Sequence, residues 1–384
     1  MQIGVVKQKR EGETRVALTP TVVQRLTDQG LTVAVEAGAG TPAHASDQQY
    51  EQAGATVVSS EGEAPSGVWA DSDLVLTVNP PSEAEVGAMK RGSVLAGLLD
   101  PVRHPSVMQK CADGGVTALA MEFLPRISRA QSMDVLSSQA NIAGYKATLL
   151  GADHAPKMLP MMITAAGTLA PAKVLVIGAG VAGLQAIATA GRLGAVVEAY
   201  DVRAATKEQV QSLGARFIEL GTGEGGETES GYAKEQSEEE QARQREQLAQ
   251  YLIGADVIVT TASVFGKAPP RIVSQDVVER MHPGTVIVDI AADPQHGRGN
   301  CDATEPGAVH TTDNGVTVVG TLELPTHLPV HASEVLANNM HALIKTLVQD
   351  GELALNMEDQ VHQEAAITNN GQIVNDLVKE ALSS

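Results

Sequence analysis

Glycines stand at 178, 180 and 183 in the run Lys173-Val174-Leu175-Val176-Ile177-Gly178-Ala179-Gly180-Val181-Ala182-Gly183-Leu184. A second apolar run, Val196-Val197-Glu198-Ala199-Tyr200, ends in Asp201. Strand, glycine turn, helix, strand and acid follow in the order of a dinucleotide-binding fingerprint. Gly178 permits the tight turn. Gly180 lets a pyrophosphate approach backbone N–H groups, and Gly183 lets the helix lie close to the sheet. The helix N-terminus then favours the phosphates. Asp201 suits the ribose hydroxyls of NAD(H) and repels a 2′-phosphate, which favours NAD(H) over NADP(H). Val181, Val202 and Arg203 border these residues and belong with the cofactor-binding set. Arg203 is open to three readings: a phosphate partner, a cover for the adenine, or a plain salt bridge.

A second polar cluster is Pro125-Arg126-Ile127-Ser128-Arg129-Ala130-Gln131-Ser132-Met133-Asp134-Val135-Leu136-Ser137. Arg126 could reach an anionic group. Gln131 and Ser137 could hold a carboxamide, with Asp134 holding Arg126 or Gln131 in place. A ligand-free network at a domain junction is the plainer alternative. A keto-acid substrate would also need an acid or base, usually Lys or His. Lys7, His44, Lys90 and His104 are the groups on offer, and His104 is the best placed, although surface exposure suits it as well. The histidines show no metal-ligand spacing, and Pro329 breaks the helix that would bring His327 and His331 together. No metal site is expected.

These residues need strands and helices to position them. Apolar runs at 2–6, 31–35, 55–58, 73–78, 93–98 and 116–120 alternate with helical stretches, as in a parallel sheet. Beyond an Ala- and Leu-rich helix at 139–152 and an irregular segment at 161–169, further strands fall at 173–177, 196–200, 215–218, 256–260, 285–289 and 316–320. Six parallel strands are expected there. Pro325 and Pro329 mark an exit into a helix at 332–349, and another helix follows at 370–382. The expected architecture is α/β, with two Rossmann-like domains of parallel sheet separated by a cleft. The first comprises 1–138 plus 328–384 and is completed by the C-terminal segment; the second comprises 139–327. A Gly- and Glu-rich stretch at about 219–236 reads as a mobile loop, and Tyr232 suggests a group that packs when that loop closes.

A chain of 384 residues fits two domains, and 43% hydrophobic residues supply both cores. Aromatics are scarce, so Ala, Val, Leu and Ile must build them. The net charge of −19 argues against nucleic acid or an anionic membrane as partner. It suits a salt-rich cytosol or simply an acidic protein. Cys111 and Cys301 read as buried thiols. The start, Met1-Gln2-Ile3-Gly4-Val5-Val6, reads as a strand rather than a signal peptide, and no apolar stretch is long enough for a transmembrane helix.

Several segments resemble the alpha-subunit family of proton-translocating NAD(P) transhydrogenase. They are Gly178 to Ala190, Pro125 to Asp134, Asp201 to Val210, and Gly231-Tyr232-Ala233-Lys234-Glu235, which looks like the tip of that family's mobile loop. The resemblance runs from Arg15-Val16-Ala17-Leu18-Thr19-Pro20 to about 345. It implies a dimeric, NAD(H)-binding peripheral component that passes hydride to NADP+ held by a beta subunit, coupled to proton movement through membrane subunits. It places Arg126, Gln131, Asp134 and Ser137 around the nicotinamide and Asp201 on the adenosine ribose, with Tyr145 and Tyr232 helping to shape the site. It also implies the split form, located on the inner face of the cell membrane through its partners. Alanine dehydrogenase shares the expected fold, and an amino-acid dehydrogenase of that type is the first alternative. Its lysine is replaced here by Thr77, and Leu95-Ala96-Gly97-Leu98-Leu99-Asp100 offers no histidine. A nucleotide-sensing partner without turnover is the second alternative.

Overall fold

The computed structural model describes residues 1–59, 64–220, 238–263 and 268–383. Most of the stretch expected as a mobile loop, with Tyr232, lies outside the described residues. The chain forms two compact units, Met1–Gln139 with Pro325–Ser384, and Ala140–Leu324.

In the first unit six strands lie parallel: β1 (Gln2–Val5), β2 (Thr32–Glu36), β3 (Thr56–Val58), β4 (Leu74–Thr77), β5 (Val94–Gly97) and β6 (Thr117–Ala120). Their order is β3-β2-β1-β4-β5-β6. Near-continuous apolar runs form these strands because both faces are covered. Leu74 and Leu76 enter one core cluster, while Val75 and Leu95 enter another on the opposite face. The C-terminal segment completes this unit. Its helix Pro329–Leu347 buries Leu336, Met340, Leu343 and Leu347. Farther on, Thr368 covers the free edge of β6: its hydroxyl accepts the Ala118 N–H and donates to the Val116 carbonyl, both at 2.8 Å. An edge paired in this way no longer invites another strand.

The helix Val135–His154 leads into the second unit. There the segment expected to be irregular is a hairpin, β7 (Met162–Thr164) and β8 (Gly167–Leu169). The sheet comprises β9 (Lys173–Ile177), β10 (Val196–Tyr200), β11 (Arg216–Phe217), β12 (Val257–Thr260), β13 (Val286–Asp289), β14 (Val309–Thr311) and β15 (Thr317–Val319). Its order is β11-β10-β9-β12-β13-β15-β14. The six expected strands are parallel. A seventh, β14, joins antiparallel at the edge. It is short and half-exposed, so it lacks the apolar run that marks its neighbours. Val174 and Val176 point to one core and Leu175 and Ile177 to the other. In each sheet the order reverses beside the first strand, between β1 and β4 and between β9 and β12. Ligands of open α/β sheets bind at the carboxyl ends of strands at such a switch point.

Other boundaries differ modestly from expectation. The helix expected from 332 begins at Pro329, because proline is tolerated in a first turn. The last helix is confined to Asp376–Ser383, and the residues before it pair as a short hairpin. Both cysteines are buried, and burial pushes each thiol up to about 12. No helix of the described residues is long and apolar enough to cross a membrane.

Candidate nucleotide-binding site

The glycine turn sits at the switch point of the second unit. Gly178 follows β9 with φ +94°, a region that side chains rarely adopt. A Cβ there would lie 2.6 Å from Thr261 Oγ1, and one on Gly183 would lie 1.8 Å from the Gly178 carbonyl oxygen. The fold itself therefore needs these two glycines. Gly180 is different: its φ is ordinary and nothing lies within 4 Å of where a Cβ would sit. A methyl group there would intrude only on whatever approaches from outside. Gly180 also caps the helix Val181–Arg192, which has no acidic residue in its first turn. The first amide groups of that helix lack intrahelical acceptors and carry the positive end of its dipole. An open cradle with these donors fits a pyrophosphate.

Asp201 follows β10 beside this turn and is nearly buried. Its Oδ2 accepts the Ala179 N–H at 2.7 Å, which joins the acid to the turn. The Arg203 guanidinium forms a fork on the carboxylate, Nε to Oδ1 at 2.9 Å and Nη2 to Oδ2 at 2.8 Å. Burial raises the Asp201 pKa, but the bonds from Arg203 and the Ala179 amide outweigh it and hold the carboxyl below its ordinary value. Of the three readings open for Arg203, the structure shows the salt bridge. Val202 is 84% exposed and Val181 partly so.

Tyr145 is half-exposed on the helix Val135–His154. A Cβ on the preceding Gly144 would lie 2.0 Å from the Ala182 carbonyl oxygen. Four residues on, Thr148 donates to the Ala186 carbonyl at 3.2 Å. This close crossing fixes Tyr145 near the first turn of the helix that Gly180 caps. Thr261 Oγ1 donates to the Gly178 carbonyl at 3.1 Å. Asn300, fully buried, donates to the Ala262 and Pro270 carbonyls, each at 2.8 Å. Sequence reasoning missed Gly144, Thr148, Thr261 and Asn300. Only Gly144, one of two glycines in an alanine-rich helix, carried a visible signal of close packing.

The second cluster lies in the first unit, beyond β6. A 3₁₀ segment, Ser128–Met133, precedes Asp134. Asp134 accepts the Ser137 N–H at 2.9 Å and the Ser137 hydroxyl at 2.6 Å, one at each oxygen. It therefore caps the helix Val135–His154 and does not hold Arg126 or Gln131 as expected. A cap three residues away outcompetes an exposed ion pair, which is worth little in water. Arg126 and Gln131 are exposed, and their side chains make no hydrogen bond or ion pair among the described residues. The backbone beneath them is tied on two sides. Asn339 Nδ2 donates to the Ser132 carbonyl at 2.8 Å and its Oδ1 accepts from Ser138 Oγ. Arg129 forms a fork on Asp359, with Nη1 to Oδ2 at 2.7 Å, and this pair lowers the Asp359 carboxyl to about 2.

Sequence reasoning also passed over a buried network in this unit. Glu13 accepts Arg15 Nη2 at 2.7 Å and Asn79 Nδ2 at 2.8 Å, and Arg15 Nη1 donates to Gln139 Oε1 at 3.1 Å. Burial raises the Glu13 pKa, and Arg15 brings it below the ordinary value. Thr77, at the end of β4, donates its hydroxyl to the Asn79 carbonyl at 2.7 Å. His104 is exposed. Glu122 follows β6; its Oε1 accepts the Asp100 N–H at 2.6 Å, while its buried Oε2 has no hydrogen-bond partner among the described residues. Burial lifts this carboxyl to about 7.

Family profiles described as "Alanine dehydrogenase/PNT, N-terminal domain" and "Alanine dehydrogenase/PNT, C-terminal domain" match residues 4–143 and 147–376. An NAD(P) transhydrogenase subunit alpha polypeptide of Rickettsia prowazekii is 41% identical, covering 100% of this chain and 99% of its own. The alanine dehydrogenase of Mycolicibacterium smegmatis is 27% identical, covering 100% and 97%. Among solved structures, the transhydrogenase from Sinorhizobium meliloti superposes with a TM-score of 0.83 at 38% identity, covering 98% of this chain and 99% of that one. With both halves matched, the chain belongs to the alanine dehydrogenase/PNT family, on the branch of the NAD(P) transhydrogenase alpha subunits.

Proposed function

We propose that this oxidoreductase chain binds NAD(H) and passes a hydride between NADH and NADP+ held by a separate beta subunit, coupled to proton translocation across the membrane. The observation that carries the reading is the open cradle at Gly180, with the acid Asp201 bonded to the same turn. Gly180 and the following helix N-terminus receive the pyrophosphate. Asp201 receives the adenosine ribose, and Val181, Val202 and Arg203 border the adenosine. Arg126, Gln131, Asp134 and Ser137 are the proposed surroundings of the nicotinamide, with Tyr145 and Tyr232 shaping the site. The exposed Gln131 amide can meet a carboxamide from both its donor and acceptor sides. The bound nicotinamide supplies the hydride; the chain orients the ring and excludes water from it.

An alanine dehydrogenase type of reaction is less well supported. Identity to that enzyme is 27%, against 41% for the transhydrogenase subunit. Thr77, at the position where that reaction would want a lysine, has a hydroxyl already donated to a backbone carbonyl and no proton to exchange near pH 7. The proposed assembly is a homodimer attached at the inner face of the membrane through its partner subunits. Support for the homodimer comes from the hairpin β7–β8. Residues 161–170 are exposed throughout and uncharged, and Ile163 is 75% exposed. In a chain of net charge −19, an uncharged apolar surface is the place where two copies meet with least repulsion.

Titration calorimetry tests the nucleotide assignment. NADH is expected to bind and NADPH to bind at least about tenfold more weakly, since a 2′-phosphate meets the Asp201 charge. Equal affinities would contradict it. Oxidation of NADH by the isolated chain with pyruvate and ammonium would establish the dehydrogenase instead.

A further inference from the structure

Asp201 accepts four hydrogen bonds. Oδ1 receives the Arg203 N–H at 2.8 Å and Nε at 2.9 Å; Oδ2 receives the Ala179 N–H at 2.7 Å and Arg203 Nη2 at 2.8 Å. A carboxylate offers about four lone-pair positions, so the chain itself fills them all. The ribose diol that the proposed function brings to Asp201 needs two of them.

The four donors are not alike. Ala179 is buried in the glycine turn, and its amide is part of the fold. The Arg203 amide opens the 3₁₀ turn Ala204–Thr206, where Thr206 Oγ1 donates back to the Arg203 carbonyl at 2.8 Å. Neither amide can leave without unmaking the turn. The guanidinium can. The Arg203 side chain is 60% exposed, it ends a flexible stem, and Asp201 is its ion-pair partner. Its solvent-facing head can pass into water once the ribose hydroxyls take its place on the nearly buried carboxylate.

We infer that the Arg203 guanidinium is an internal stand-in for the adenosine ribose: it occupies the two acceptor positions on Asp201 that the diol of NAD(H) takes, and it swings out when the nucleotide binds. This rests on Asp201 being the ribose acceptor. Arg203 is then a specificity and affinity determinant that acts by competition. Each binding event breaks the guanidinium fork before the ribose bonds form, so the chain holds NAD(H) less tightly than its acid alone would allow.

Calorimetric titration of NADH into the wild-type chain, Arg203→Ala and Asp201→Asn tests the idea. Arg203→Ala is expected to bind NADH about two- to fivefold tighter, because no guanidinium bond must break first, and Asp201→Asn to bind it more weakly. Arg203→Lys keeps the charge but not the planar fork, so its affinity falls between wild type and Arg203→Ala. The gain should shrink for the 2′-deoxyadenosine analogue of NADH, which claims only one acceptor position. Loosening of the turn would instead move both ligands alike. Unchanged or weaker NADH binding by Arg203→Ala, with Asp201→Asn also weaker, would overturn the competition and leave the ribose assignment standing. Wild-type affinity in Asp201→Asn would overturn the ribose assignment and the competition together.

Discussion

Gly180 and Gly183 separate what the turn needs in order to fold from what it needs in order to bind. A methyl group on Gly183 would strike the Gly178 carbonyl, whereas one on Gly180 would meet open space. Gly183→Ala is therefore expected to lose about 3 kcal/mol or more of stability in chemical unfolding. Gly180→Ala should lose about 1 kcal/mol or less yet bind NADH at least about tenfold more weakly. A Gly180→Ala protein with native affinity would remove the pyrophosphate from this turn. Glu122 gives a pH test. Between the ordinary carboxyl value of 4.5 and about 7, the folded chain keeps a proton that the unfolded chain has lost. Stability thus falls as pH rises through that window. Glu122→Gln, which stays neutral, should be more stable than wild type at pH 8 by on the order of 1–3 kcal/mol, with the gain vanishing near pH 4. A gain independent of pH would contradict the account. At this scale much was legible in the sequence: the glycines and Asp201 announce themselves because their spacing is tied to one backbone geometry. For Arg203 the sequence left a salt bridge as one of three readings, and its two-pronged geometry on Asp201 was not legible; nor was the unpartnered Glu122 oxygen, which depends on how the ends of β5 and β6 pack.

At the scale of elements, Asp134 shows how a residue chosen for chemistry can first serve a helix. Both its oxygens accept from Ser137, so it caps the helix Val135–His154. Asp134→Ala should cost about 1 kcal/mol of stability through the lost cap. It should also slow hydride transfer by loosening the segment that carries Gln131, which rapid-mixing kinetics would read. A full loss of stability with unchanged transfer would leave Asp134 as a cap alone. The parallel strands were readable because buried strands are continuous apolar runs. The hairpin β7–β8 was not, because Ala165-Ala166-Gly167 is a weak turn signal between strands of only three residues each. The edge strand β14 escaped for the reason given by its length, and the buried Glu13–Arg15–Gln139 network joins residues 124 positions apart.

For the whole molecule, the division of the chain at residues near 139 and 325 puts the C-terminal segment on the edge of β6, the strand that leads into the Arg126–Ser137 segment. The uncharged hairpin is the surface proposed to join two copies. Ile163→Asp should shift sedimentation of the isolated chain from dimer towards monomer, because it places like charges in an apolar contact. An unchanged dimer would move the interface elsewhere. The central claim is that the reaction partner is a second nucleotide on another protein, not a small substrate. The direct measurement is stopped-flow hydride transfer from NADH to NADP+ after this chain is combined with its candidate beta subunit. The account predicts NADPH formation that needs both proteins and slows in Gln131→Asn more than NADH binding weakens. Absence of transfer in the combined system, with NADH bound, would contradict it.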